Sequence, residues 1–253
     1  MPVVDDDVSS PPVLLFDVFK TLLLFDGDHV DDATFAHLAS WLRYRQIAIT
    51  PQALQRRYFA ITQAQLAAAP GQPPDVDVLI VWDAVLAELS VPQVQRWELA
   101  VELALVYRQI TTRQIDVWPG TFEMLDACRG FRLAIASNTQ RAYTEPELRM
   151  FGLWGYFERV IFSSDVKACK PDTAIFQRAL VELDVTPNQV LYIGDNPYDD
   201  VLGAGRLGIP AILLERGTPV PPNVELPTPL ARVADGDPGA VVRLARAHFG
   251  WQA

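Results

Sequence analysis

Val13-Leu14-Leu15-Phe16-Asp17-Val18-Phe19-Lys20-Thr21-Leu22-Leu23 opens with an apolar run that ends on one aspartate, with an aromatic, Phe19, two residues beyond it and no second carboxylate. The run reads as a buried β-strand with Asp17 at its carboxyl end. A carboxylate there is costly to desolvate unless a cation or a hydrogen-bond donor meets it. Asp17 therefore has a chemical task or is a turn residue closing the strand.

Working outward, four further short apolar runs follow the Trp118-Pro119-Gly120 break: Phe131 to Ala136, Val160 to Phe162, Val190 to Ile193 and Ile209 to Leu214. They alternate with helical stretches, which predicts a parallel sheet with helices on both faces. A Pro-rich stretch after Arg216 leads to a terminal helix, Pro238 to Phe249. From Asp31 to about Arg113 the spacing is helical instead. Phe35, Leu38, Ala39 and Leu42 form one stripe, and Leu54, Tyr58 and Ile61 a second. After the Ala69 to Pro74 loop come Leu79, Trp82, Leu86 and Leu89, then Val94, Trp97 and Val101. Four such helices make a small bundle of their own. The predicted fold class is α/β, a Rossmann-like parallel-sheet core flanked by helices with an inserted α-helical bundle.

With 253 residues, half of them hydrophobic and 21% charged, the chain can bury a sizeable core as one domain with an insertion or two small domains. A net charge of −10 argues against a nucleic-acid or anionic-membrane partner but not against a small phosphate ester carried with a metal ion. Cys128 and Cys169 are too few for a disulfide framework, and neither a leader nor a membrane-length apolar run is visible. A cytoplasmic location is expected, with residues 1–12 as a mobile tail.

In an open parallel sheet, ligands collect beyond the carboxyl ends of the strands. Here those ends carry Asp17, then Ser137-Asn138-Thr139, then Ser163-Ser164-Asp165 with Lys170-Pro171, then Gly194-Asp195-Asn196 with Asp199-Asp200. Each has an ordinary structural alternative: Ser137 as a helix cap, Lys170 as a solvated lysine, Asp199 and Asp200 as first-turn acids. Chance rarely assembles all four groups in order.

In order and spacing these motifs resemble the haloacid dehalogenase superfamily of aspartate-nucleophile hydrolases, over nearly the whole chain. Phe16 to Thr21 is similar to its first motif, Ile135 to Asn138 to its second, Lys170-Pro171 to its third and Tyr192 to Pro197 with Asp199 to Ala204 to its fourth. The resemblance implies a core over residues 13–29 and 115–253 and a helical cap over 30–114 that closes on the site. It also implies an Asp17 nucleophile forming an aspartyl-phosphate, with Ser137 and Lys170 as the other catalytic residues. Ser137, Asn138 and Thr21 would bind or brace the phosphate site. Mg²⁺ would be held by Asp17, the Phe19 carbonyl and Asp195, with Asp200 acting through bound water.

The departure from the family pattern lies at Phe19, where phosphatases of this kind carry the aspartate that protonates the leaving group. General acid–base assistance is worth about 10² to 10⁴ in rate, so good leaving groups suffer less from its loss. The expected activity is a Mg²⁺-dependent phosphatase acting on a small phosphorylated metabolite with a good leaving group, in a monomer or homodimer. A 2-haloacid dehalogenase, which tolerates an aromatic there, is the alternative, or a non-catalytic relative that binds a ligand or partner. Lys20 departs from the usual glycine and is expected to face solvent. His29, His37 and His248 show no metal-ligand spacing, although His29 lies near the first motif. Lys170 would lower the pKa of Cys169. Arg56 and Arg57 are expected in solvent, and Trp82, Trp97, Trp118 and Trp154 in packing.

Overall fold

β1 (Val13–Phe16) is buried along its whole length, as an apolar strand covered on both faces must be. The structure, a computed structural model, describes residues 10–250, so residues 1–9 of the expected tail lie outside the described residues. After β1 come β2 (Leu23–Asp26), α1 (Asp32–Tyr44), α2 (Pro51–Ala68), α3 (Val78–Glu88), α4 (Gln93–Thr111) and β3 (Gln114–Val117). The chain continues through α5 (Thr121–Ala127), β4 (Arg132–Ser137), α6 (Arg141–Met150), β5 (Arg159–Phe162), α7 (Ser163–Val166) and α8 (Ala174–Leu183). It ends with β6 (Val190–Gly194), α9 (Gly203–Gly205), β7 (Ala211–Glu215), β8 (Ala231–Ala234) and α10 (Ala240–Phe249).

Six strands form one parallel sheet in the order β5-β4-β1-β6-β7-β8. β1 lies between β4 and β6, where the winding reverses, so the carboxyl ends of these three strands bound the crevice that such sheets use for ligands. Alternation along β1 sends Leu14 and Phe16 into one hydrophobic cluster and Val13 and Leu15 into the opposite one. Five strands fall where the apolar runs predict them. β8 is the sixth and has no such signal, because only Val233 of its four residues is buried and it lies at the sheet edge. A second, antiparallel pair joins β2 to β3, Leu23 opposite Val117, and carries the chain out of the core and back.

Between those two strands, α1 to α4 share a core built around Phe35, Leu38, Leu54, Trp82 and Leu103, to which Tyr143 of α6 also contributes. Thr50 caps α2 and Asp77 caps α3 through their side-chain oxygens, ending the preceding loops. The stripe expected on α4 needs correction. Val94 and Trp97 are 88% and 54% exposed, whereas Leu99, Ala100, Leu103, Ala104 and Tyr107 are buried. The second set forms an unbroken face over two turns, and that longer face packs against α3. On α3 itself Val78, Val81 and Val85 join Trp82 and Leu86 in the core, while Leu79 and Leu89 are only partly covered.

The insertion touches the core away from β2 and β3 as well. Its loop at residues 69–77 lies against residues 167–172. The Cys169 N–H donates to the Pro73 carbonyl at 2.9 Å, the Asp75 N–H to the Lys167 carbonyl at 3.1 Å, and the Gln72 N–H to the Asp172 carboxylate at 2.8 Å. Gly71 permits this approach, since a Cβ there would stand 2.2 Å from that of Ala168. On the other side, Arg108 of α4 makes a buried fork with Glu147 of α6, at 2.6 and 3.2 Å. Among the described residues no helix is long and apolar enough to cross a membrane.

Candidate active site

The Asp17 N–H donates to the Ile193 carbonyl at 2.9 Å, continuing the β1–β6 ladder by one residue and fixing the carboxylate at the sheet's rim. Lys170 reaches it from the segment after α7. Its Nζ stands 2.6 Å from Asp17 Oδ1, 2.6 Å from Asp200 Oδ1 and 2.8 Å from the Tyr192 hydroxyl. Burial alone would lower the lysine's pKa, but Asp17 and Asp200 outweigh it and hold the value well above the ordinary one. The ammonium is therefore permanently charged and shared between two carboxylates. Asn138 fixes the backbone beneath it, accepting from the Lys170 N–H at 2.7 Å and donating to the Lys170 carbonyl at 3.1 Å.

β6 ends in Gly194, and the chain then turns through a wide helical turn, Pro197–Leu202, capped by the Asn196 side chain. This returns the buried Asp200 carboxylate to the strand end, where Oδ2 accepts from the Asn196 N–H at 2.9 Å. Gly194 makes room for it, because a Cβ there would lie 2.1 Å from Asp200 Oδ2. Asp195 accepts a hydrogen bond from the Thr218 hydroxyl. One carboxylate oxygen from each of Asp17, Asp195 and Asp200 lies within 4.8 Å of the others. Burial, then the nearby Asp17, pushes the Asp195 carboxyl up to about 7, and burial pushes Asp199 up to about 6.

A cavity of about 230 Å³ opens over this group, and Ser137, Asn138, Phe19, Lys20 and Phe25 also line it. The rings of Phe19 and Phe25 lie 4.5 Å apart, and the Arg108 guanidinium covers the Phe25 ring at 4.0 Å and the Phe19 ring at 5.3 Å. The missing acid is thus replaced by an aromatic wall backed by a cation.

The sequence profile of the haloacid dehalogenase-like hydrolase family matches residues 79–214, more than half of the chain. The chain belongs to that family. Among curated relatives, a phosphoserine phosphatase of Thermus thermophilus is 36% identical over 89 residues, 35% of this chain and 36% of that protein. A haloacid dehalogenase-like hydrolase domain-containing protein 3 of Xenopus laevis is 35% identical over 103 residues, 40% of this chain and 42% of that one. The matches thus span about two-fifths of these relatives. Among solved structures, a 2-haloacid dehalogenase of Pseudomonas syringae superposes with a TM-score of 0.62 at 21% identity, covering 96% of this chain and 100% of that one. That likeness bears on the fold.

In this haloacid dehalogenase-like hydrolase, Asp17, Phe19, Ser137, Asn138, Lys170, Asp195 and Asp200 all line the one cavity. Thr21 does not. It is buried and lies outside the residues lining that cavity, and among the described residues its hydroxyl has no hydrogen-bond partner. Ser137 caps no helix, since α6 begins after Gln140. The expectation for Cys169 also reverses. Burial, with the Asp75 charge added, pushes its thiol up to about 12, and the Lys170 ammonium is already claimed by Asp17 and Asp200. His29 pairs with Asp26, Arg57 pairs with Glu88 at 3.2 Å, and Arg56 is exposed. Lys20 is exposed as expected yet borders the cavity.

Thr218, Phe25 and Tyr192 complete the site and were not singled out from sequence. Thr218 follows the carboxyl end of β7, so the strand-end rule that located Asp195 would have reached it had β7 been followed past Arg216. Tyr192 is the single hydroxyl-bearing side chain within β6, a buried apolar strand.

Proposed function

We propose that this chain is a Mg²⁺-dependent phosphatase that uses Asp17 as nucleophile on a small phosphate ester or acyl phosphate with a good leaving group. The observation that carries the reading is the Asp17 carboxylate, held 2.6 Å from a buried ammonium and within 4.8 Å of Asp195 and Asp200. Clustered oxygen donors suit Mg²⁺, and the raised pKa of Asp195 marks negative charge still lacking a counterion. Asp17, Asp195 and the Phe19 carbonyl would hold the ion, and Asp200, with both oxygens already hydrogen-bonded, would orient its water. Bound there, the cation supplies positive charge against the phosphoryl oxygens.

Asp17 attacks phosphorus, the bond to the leaving oxygen breaks, and the phosphoryl group rests on the carboxylate. Lys170 offsets the repulsion between that carboxylate and the incoming phosphate, and the Ser137 hydroxyl donates to a phosphoryl oxygen. Water then attacks phosphorus, the bond to Asp17 breaks, and phosphate leaves. With Phe19 in place no side chain protonates the departing oxygen, which costs roughly 3 to 5 kcal/mol of transition-state stabilisation for a poor leaving group. The Phe19–Phe25 wall favours a second reading, halide release from a 2-haloacid, which needs no proton. The carboxylates of Asp195, Asp199 and Asp200 weigh against it, because an uncompensated acidic cluster opposes ionisation of the nucleophile.

Turnover of phosphate esters graded by leaving-group pKa, with and without Mg²⁺, tests the choice in the native chain and in Phe19→Asp. The expected result is Mg²⁺-dependent turnover that falls steeply as the leaving group becomes less acidic. In Phe19→Asp the slope flattens and alkyl phosphates gain about 10²-fold. Metal-independent halide release from 2-haloacids, without phosphatase activity, would replace this reading by the second.

A further inference from the structure

Lys20 has a conformation and a position that the reaction above leaves without a task. Its backbone is left-handed, φ 56°, a region that favours glycine and strains a lysine by about 1 kcal/mol. Its N–H donates to the Leu23 carbonyl at 2.6 Å, which holds the tight turn between β1 and β2. This strained residue is exposed and is among those that line the cavity. Among the described residues its ammonium makes no ion pair or hydrogen bond, in contrast to Lys170.

Asp17 and Lys170 are buried and Lys20 is exposed, so Lys20 lies at the cavity mouth. Phosphoryl transfer places nucleophile and leaving group in line on opposite sides of phosphorus. With Asp17 at the floor, the leaving group points to the mouth, between Lys20 and the ring pair of Phe19 and Phe25. The phosphoryl end already has Lys170, Ser137 and the cation site. Lys20 is thus a charge left over for the leaving group.

We propose that Lys20 is a specificity-determining residue that selects substrates whose leaving group carries a carboxylate. The inference rests on the phosphatase reading and narrows its substrate class. A single ammonium matches a monoanion. With four aspartates and two lysines around the cavity, there is no positive surplus to hold a second phosphate. The aromatic pair beside Lys20, with rings 4.5 Å apart and tilted by 31°, suits the unsaturated or aryl body that makes a carboxylate-bearing leaving group acidic.

Binding and turnover separate the two claims. Titration calorimetry with Mg²⁺ present compares 3-phosphonopropionate with propylphosphonate, neither of which can be hydrolysed, on the native chain, Lys20→Gln and Lys20→Gly. The carboxylate ligand is expected to bind the native chain about tenfold more tightly, and both variants to lose the preference. Lys20→Gly is also expected to melt at a higher temperature, which exposes the strain retained for selectivity. Equal affinities in the native chain, no binding of either phosphonate, or a preference that survives Lys20→Gln would each overturn the assignment. Hydrolysis of 4-carboxyphenyl phosphate against its carboxamide analogue is run in parallel, where Lys20→Gln should raise KM for the former alone. Discrimination in binding without any hydrolysis would leave Lys20 in its role and remove the phosphatase.

Discussion

A carboxyl group buried beside another carboxylate holds its proton into the neutral range, and Asp195, pushed up to about 7, is such a group. Its folded-state value lies above the ordinary 3.8. The metal-free chain therefore loses stability through this group as pH rises from about 4 to about 7, and a bound cation competes with the proton. Mg²⁺ is expected to raise the melting temperature little at about pH 5.5, increasingly through pH 7, and to a plateau by about pH 8.5. Below pH 7 the affinity should change by about tenfold per pH unit where one proton is displaced. A Mg²⁺ effect independent of pH, read by thermal unfolding across that range, would remove Asp195 from the donor set. At this scale, residues standing at strand ends were legible in the sequence, because position beyond a buried strand is itself the signal. Asp17, Ser137 and Asp195 were read that way, and Lys170 from the segment that follows the third strand end. Thr21, close to the nucleophile in the chain, is buried and lies outside the residues that line the cavity. Arg108 was invisible, since nothing in the spacing of α4 says that a polar side chain there packs on the rings of Phe19 and Phe25.

Among the elements, the turn from β6 through Leu202 has the least room. Gly194→Ala places a Cβ 2.1 Å from Asp200 Oδ2, so the carboxylate must leave the Asn196 N–H or Lys170, or the strand end must move. The expected cost is about 1–3 kcal/mol of stability, measured by denaturant unfolding, with kcat reduced by about tenfold or more. Gly155→Ala is the control, since nothing lies within 4 Å of its added Cβ, and it should leave both quantities close to native. The five parallel-sheet strands other than β8 each carry three or four apolar residues in a row and could be read directly from sequence. β8 could not, and β2 and β3 pair through half-exposed residues whose partner is some ninety positions away. On α4 the sequence offers two overlapping apolar stripes, and only the packing against α3 decides between them.

Across the whole molecule, the insertion and the core share a buried ion pair as well as two connecting strands. Burial pulls the Glu147 pKa up, against the lowering effect of Arg108, so the pair depends on both members being present. Arg108→Met is expected to cost about 3–5 kcal/mol by leaving Glu147 buried without its partner. Adding Glu147→Gln should return part of that loss, as read from a double-mutant cycle in urea. Equal losses in the single and double variants would show that the arginine acts through its packing on the rings instead. The seam formed by Gly71 and Ala168 has another consequence. Two backbones that meet without room for one extra methyl have been shaped to each other, so α1 to α4 with their loops are not an interchangeable module. A chimera carrying a relative's bundle would need a glycine at that spot, because alanine there would force the 69–77 loop away from Ala168 and Lys167.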